Sequence, residues 1–350
     1  MLQELVKSKK LKIFSIMTTG RSGSDYLANC LDGVKGVIIF SGKFSLDNYF
    51  KDTIEKKNHD FLINNFLRDK KHLLSYDKIE LIDKKIDIKK FKTLFLKISK
   101  KKLNKKEFFF KIYETYHRTL NRNFKNIKAL VHHSHSVNAT KSFIEDFPEC
   151  KILCTIRDPR ANLKSGIIGF AKIDNKYKSI MHIFFYLKRI RNDLFFALKL
   201  KNKKIFIKLE ESNLLKTKKK ICKFLDIKFD KKIMIATIAN KIWNGDKLSR
   251  FKSKGKFNKK VLYNGWKTFF PGKEVLILNM LYQNYRKFYD IKKIYFLDKL
   301  NLFLYAFLPF KCERLILRSN MLNIKFLYNF KSMIKKILYT QLIMLNVKVK

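Results

Sequence analysis

Hydrophobic and polar positions along the chain alternate between two periods. Short apolar runs closed by turn residues, at 11–17 (LKIFSIM), 127–133, 151–156 (KILCTI) and 204–209 (KIFIKL), have the length and β-branched content of buried strands. Between them lie stretches of helical spacing: 24–31, with Leu27, Cys30 and Leu31 on one side, 138–147, and the long amphipathic stretch 176–201. Pro159, just after the third strand, suits the first turn of another helix. Strands alternating with helices predict an α/β fold: a central parallel sheet with helices on both faces. In such sheets ligands sit beyond the carboxyl ends of the strands.

Two segments depart from this rhythm. Residues 44–126 are lysine-rich, contain no glycine or proline and are mostly helical in period, which predicts a helical insertion. Residues 291–350 read as a basic, apolar, helical C-terminal extension, leaving 1–290 as the main domain. The pattern holds no internal repeat, and the lysine runs at 100–106 and 216–220 read as solvated faces. No window reaches the roughly 20 apolar residues of a membrane span; the nearest, 301–310, is too short. The first ten residues lack the apolar centre of a signal peptide.

Composition sharpens the picture in three respects. With 350 residues, 46% hydrophobic and 14% aromatic, the chain can bury a large core, which excludes disorder as a whole. Lysine plus arginine is 78 against 29 acidic residues, a formal net charge of +49, but arginine supplies only 12 and lysine 66. A nucleic-acid reader would draw on arginine forks for phosphate and guanine, so nucleic acid is not the expected partner. Lys, Ile, Phe and Asn, all encoded by A/T-rich codons, dominate together, so much of the charge reflects composition bias, and the remainder suits anionic ligands or anionic lipid. Five cysteines, Cys30, Cys150, Cys154, Cys222 and Cys312, with no C-x-x-C pair, support neither a disulfide framework nor a zinc ribbon. A cytoplasmic location is expected; the C-terminal extension reads either as a helical pair packed on the domain, the plainer reading, or as a basic apolar segment that also touches the inner face of the membrane.

Two motifs carry chemistry. Thr18-Thr19-Gly20-Arg21-Ser22-Gly23-Ser24 stands between a strand and a helix, where backbone amides and the helix dipole converge on an anion. Gly20 and Gly23 permit close backbone approach, Arg21 adds a fixed charge, and Ser22 and Ser24 add hydroxyls. The Walker lysine is absent, which counts against an ATPase or kinase. Arg157-Asp158-Pro159-Arg160-Ala161-Asn162-Leu163-Lys164-Ser165 follows another strand, and Arg157 and Ser165 are spaced to meet one phosphate, a second anion far from the first loop.

Together these motifs resemble the sulfotransferases, cytosolic and bacterial, that use 3′-phosphoadenosine 5′-phosphosulfate, a resemblance that implies a nucleotide-binding core of the phosphate-loop kind. In that family a loop like Thr19 to Ser24 cradles the 5′-phosphosulfate, and a segment like Arg157 to Ser165 binds the 3′-phosphate. Leu209-Glu210-Glu211-Ser212-Asn213-Leu214 and residues 221–227 (ICKFLDI) are similar to two further family landmarks, and the resemblance extends over roughly 11–290. Asp25 stands where many members carry a second Ser or Thr, and its carboxylate can instead cap the helix. A basic loop that the family places on the 3′-phosphate has counterparts in Arg250, Lys252, Lys254 and Gly255 at altered spacing; Lys254 and Gly255 are the candidates. The implied donor-binding set is Thr19, Gly20, Arg21, Ser22, Gly23, Ser24, Asp25, Arg157, Ser165, Lys254 and Gly255, with no metal.

The resemblance also implies a base for the acceptor proton at the end of a neighbouring strand, where Val131-His132-His133-Ser134-His135 lies. Strand alternation puts His132 and His133 on opposite faces, and His133 is the first choice, with His132 and His135 as the others. The plain alternative for the three is a turn cluster, and zinc lacks a carboxylate or cysteine at fitting sequence spacing. Arg21 is the candidate for stabilising the leaving oxygen. Trp266 is expected to pack in the core. The expected activity is transfer of a sulfuryl group from that donor to a hydroxyl or amine of a carbohydrate or lipid-linked acceptor. The alternatives are a phosphate-loop kinase and a basic, non-enzymatic protein binding membrane or nucleic acid.

Overall fold

A computed structural model describes residues 1–40, 42, 44–50, 57–75, 86–173, 179–245, 253–258, 265–319 and 325–345. In chain order the elements are α1 (Leu2–Lys7), β1 (Lys12–Thr18), α2 (Ser24–Leu31), β2 (Val37–Ile39), α3 (Asp47–Phe50), β3 (Lys57–Asn58), α4 (His59–Ser75) and α5 (Ile88–Ile98). There follow β4 (Lys102–Leu103), α6 (Lys105–Thr119), β5 (Ala129–His133), α7 (Val137–Asp146), β6 (Lys151–Ile156), α8 (Pro159–Ile173), α9 (Ile180–Lys199), β7 (Lys204–Lys208) and α10 (Leu215–Leu225). The chain continues with β8 (Thr237–Ile238), β9 (Lys241–Ile242), α11 (Trp266–Phe269), α12 (Gly272–Leu281), α13 (Phe296–Tyr305), α14 (Lys311–Ser319) and α15 (Lys325–Met344). Two compact units divide it: residues 1–18, 23–155 and 201–259 form the first, and 19–22, 156–200 and 260–350 the second.

The first unit is built on a central five-stranded sheet of order β2-β5-β1-β6-β7. β1 runs parallel to both β5 and β6, and β2 runs parallel to β5. Strand β1 is buried from Phe14 onward, which explains its continuous apolar run. Alternation then sorts the side chains onto two faces. Phe14, Ile16, Ala129 and Val131 pack against Leu27 and Leu31 of α2 and Ile221 and Leu225 of α10. On the other face His132 lies among Phe109 and Tyr113 of α6 and Phe143 of α7. Burying a phenylalanine as fully as Phe109 contributes roughly 1.5–3 kcal/mol. Helix α6 starts cleanly because Asn104 and Glu107 form a capping box.

The α/β architecture with a parallel sheet and flanking helices is the one expected, and each expected strand forms within a residue or two of its reading. Two features differ. Residues 37–39 form an edge strand where no strand is expected, and a two-stranded ribbon, β3 with β4, interrupts the helical insertion. Of the stretch 176–201, residues 174–178 lie outside the described residues, and α9 begins at Ile180 behind an N-cap at Ser179. In the second unit α9 packs against α8 and α15.

Two buried histidines tie stability to pH. Burial pushes His132 down to about 3, with the neighbouring His133 adding to the shift. Burial likewise pushes His117 down to about 4, while its Nε2–H donates to the carbonyl of Asn123 at 3.0 Å. Each is neutral when folded but takes up a proton near pH 6.5 when unfolded, so stability is complete above about pH 6.5 and falls as the pH drops toward the folded values. The loss at pH 5 is about 2 kcal/mol for each. His117→Gln should halve the drop in unfolding free energy between about pH 7.5 and pH 5, measured by urea titration at the two pH values.

Candidate functional site

In the second unit the loop residues 19–22 are held by one face of α8. Asn162, Ser165, Gly166 and Gly169 recur at helical spacing and present that face. The Asn162 carboxamide donates to the Thr19 carbonyl, and its Oδ1 accepts from the Arg21 amide at 3.1 Å. Tyr186 of α9 donates its hydroxyl to Asn162 Oδ1 at 2.8 Å, and its oxygen lies 3.3 Å from the Arg21 amide. Burial pushes this phenol up to about 12, so it stays a donor. Gly20 has φ +90°, and a Cβ there would stand 2.8 Å from the Tyr186 oxygen. Gly166 is needed for space: a Cβ would stand 2.0 Å from Tyr186 Cε1.

Two cations and a hydroxyl meet on this scaffold. Arg21 Nε donates to Ser165 Oγ at 3.3 Å, and Arg157 Nη1 donates to the Arg21 carbonyl at 3.4 Å. Arg157 is 8% exposed and Ser22 1%. The sequence places the anion of Arg157 and Ser165 far from the loop; in the structure Ser165 touches the loop arginine, so the groups expected at two anion sites form one continuous constellation. Arg160 of the same motif serves a different purpose. Its guanidinium binds Asp158 at 2.7 Å, Asn279 at 3.0 Å and the Asp290 carbonyl at 3.1 Å. It also stacks over Trp266, which is buried as expected.

In the first unit β1 leads to Gly23, the N-cap of α2, and Ser24 and Asp25 begin that helix. Asp25 faces a histidine in addition to favouring the helix dipole: its Oδ1 lies 3.9 Å from His133 Nδ1. His133 is 2% exposed at the end of β5, and its ring meets that of His135 edge-on at 5.2 Å. His135 has φ +62°, which turns the chain toward the Ser136 cap of α7, and its Nδ1 lies 3.5 Å from Ser24 Oγ. One ligand atom each from Asp25, His133 and His135 lie within 4.8 Å of one another, a donor set able to hold a divalent cation. The fold thus supplies the carboxylate that sequence spacing does not reveal. His132 is apart from this group, bonded to the Tyr113 hydroxyl at 2.9 Å and stacked on Phe143.

Gly255 lies in the turn after β9, where its amide donates to the Trp243 carbonyl, and Lys254 is exposed beside it. Arg250 and Lys252 lie outside the described residues. Asn162, Tyr186 and the two α8 glycines are the site residues that sequence reasoning missed. The signal for Asn162 was present: it shares a helix face with Ser165.

No protein-family model matches the chain, and no curated protein matches it. Among solved structures it is similar to the sulfotransferase domain from the curacin biosynthetic pathway, at 13% identity over 82% of this chain and 93% of that one, TM-score 0.44. It is also similar to the sulfotransferase domain of the Synechococcus PCC 7002 olefin synthase, at 15% identity over 81% and 97%, TM-score 0.45. For sulfotransferase STF9 from Mycobacterium avium the values are 10%, 83% and 80%, and 0.39. The functional reading rests on the site itself.

The packing of Tyr186 on α8 is directly testable. Gly166→Ala should destabilise the fold by about 1–3 kcal/mol through overpacking, and Tyr186→Phe by about 1 kcal/mol through a lost hydrogen bond. Because both act on one contact, the double variant should cost less than the sum, measured as a double-mutant cycle in denaturant.

Proposed function

We propose that the protein is a sulfotransferase moving a sulfuryl group from 3′-phosphoadenosine 5′-phosphosulfate to a hydroxyl or amine of a glycan or lipid-linked acceptor. The observation that carries this reading is the convergence of Arg21, Arg157 and Ser165 around a glycine loop that lacks a Walker lysine. A donor with a 5′-phosphosulfate and a 3′-phosphate needs a loop for one anion and an arginine–hydroxyl pair for the other.

In this reading the acceptor oxygen or nitrogen attacks sulfur, and the bond from sulfur to the bridging oxygen breaks. 3′-Phosphoadenosine 5′-phosphate leaves with the electron pair. Arg21 stabilises the charge on that oxygen, as fixed cations do in phosphoryl transfer. His133 takes the acceptor proton, and the Asp25 carboxylate stabilises the imidazolium that forms. His132, kept neutral and stacked among aromatic rings, supports the strand end.

Arg157→Ala should weaken binding of adenosine 3′,5′-bisphosphate by about 2–3 kcal/mol, and Ser165→Ala by less. Adenosine 5′-phosphosulfate, lacking the 3′-phosphate, should bind the wild type poorly and respond little to either change. Calorimetry with both ligands decides it: equal losses for the two would mean that Arg157 holds the loop and not the ligand.

The histidine assignment has its own test. His133→Ala should lower turnover by roughly two to four powers of ten with bisphosphate affinity unchanged. Full activity of this variant would place the base elsewhere.

A further inference from the structure

The C-terminal helix α15 is apolar on its outward side as well as where it packs on its own unit. Leu327, Phe330, Ile334, Leu338, Leu342 and Leu345 recur every three or four residues and are all exposed, Leu327 at 68% and Leu345 at 66%. The inward face mixes the buried Met333, Ile337, Tyr339 and Met344 with Asn329, Ser332, Lys336 and Thr340, which are also buried. Those polar groups are satisfied within the unit. Asn329 Oδ1 accepts from the Ile180 amide at 3.0 Å, a donor that the start of α9 would otherwise leave orphaned. Lys336 pairs with the buried carboxylate of Glu313, and Ser332 and Thr340 donate back to carbonyls one turn earlier. The inner face is therefore a finished contact, and the apolar surface left over points outward.

Helix α13 adds exposed Phe303 and Leu304, and the turn after it adds Phe307 and Leu308. Charge identifies the occupant. From the start of α13, residues 296–350 hold ten lysines and arginines and two acidic residues: Asp298, half-buried and accepting from the Tyr295 amide at the start of α13, and Glu313, which is 0% exposed. The described part from 311 to 345 thus shows solvent no carboxylate, while Lys331 and Lys335 stand on the same outer side of α15 as the leucines. Lysine is depleted at the centre of protein–protein interfaces, but on an interfacial helix its stem lies along apolar surface and its ammonium reaches lipid phosphate. No helix among the described residues is long and apolar enough to cross a membrane.

We propose that α13 and α15 form a docking face for an anionic bilayer surface, with α15 lying in the interface. This inference is independent of the reaction assigned above. The test is flotation of the full chain with vesicles of phosphatidylcholine alone and with about a quarter phosphatidylglycerol, at physiological salt. The wild type should float with the anionic vesicles only. Ile334→Glu with Leu338→Glu should lower the partition coefficient about tenfold or more at an unchanged melting temperature, since both positions are exposed. Lys331→Gln with Lys335→Gln should weaken it by a smaller factor that vanishes at high salt. Unchanged flotation of the apolar double variant would mean that net charge alone attracts the vesicles, and would overturn the proposal. So would a wild type that binds neither vesicle, or one that self-associates in solution and is made monomeric by the apolar substitutions.

Discussion

The carboxamide of Asn162 is the interaction on which the loop site depends. It holds a glycine loop at two points, donating to the Thr19 carbonyl and accepting from the Arg21 amide. A loop with a left-handed glycine and two cationic neighbours has many accessible conformations, and fixing each residue costs on the order of 1–2 kcal/mol. One buried, two-sided side chain removes much of that freedom in advance, so a ligand does not have to. Tyr186 fixes the carboxamide in turn, and Gly166 makes room for Tyr186. The chain of dependence runs from a missing methyl group to the position of an arginine.

The histidine cluster shows how the two-residue period of a strand separates functions that adjoin in sequence. His132 and His133 pair with Ser15 and Ile16 of β1 and point to opposite faces. One enters the aromatic layer, where desolvation drives it neutral; the other ends beside a carboxylate and a second histidine. The two neighbouring imidazoles therefore meet opposite surroundings, aromatic rings on one side and a carboxylate with a second imidazole on the other.

The main strands were readable because a strand buried on both faces writes itself as a mostly apolar run, as in 151–156, where Ile152, Leu153, Cys154 and Ile156 are all buried. β2 was not, since three residues carry too little pattern to stand out from the turns around them. The helical insertion was readable from its lack of glycine and proline, but its ribbon was not, because Lys57–Asn58 and Lys102–Leu103 pair over a long separation with no local signal. Arg21, Arg157 and Ser165 were visible as motif positions. Their meeting was not, since it depends on which face α8 turns toward the loop. Asp25 was visible only as a departure from a pattern, and its contact with His133 is a product of the fold.

In a chain so rich in lysine, the few arginines mark where a planar fork is needed. Arg160 uses its fork on Asp158 and adds Asn279 and the Asp290 carbonyl; Arg122 grips Asp32 and Asn240; Arg118 holds Glu114 through two nitrogens. Lysine, a compact point charge on a flexible stem, has three donors but lacks the fixed, spread fork with which Arg160 reaches Asp158, Asn279 and the Asp290 carbonyl together. Arg21 and Arg157 have their guanidinium groups within bonding distance of loop or motif groups, and a fork of several donors suits a tetrahedral anion with several acceptor oxygens, such as phosphate or sulfate.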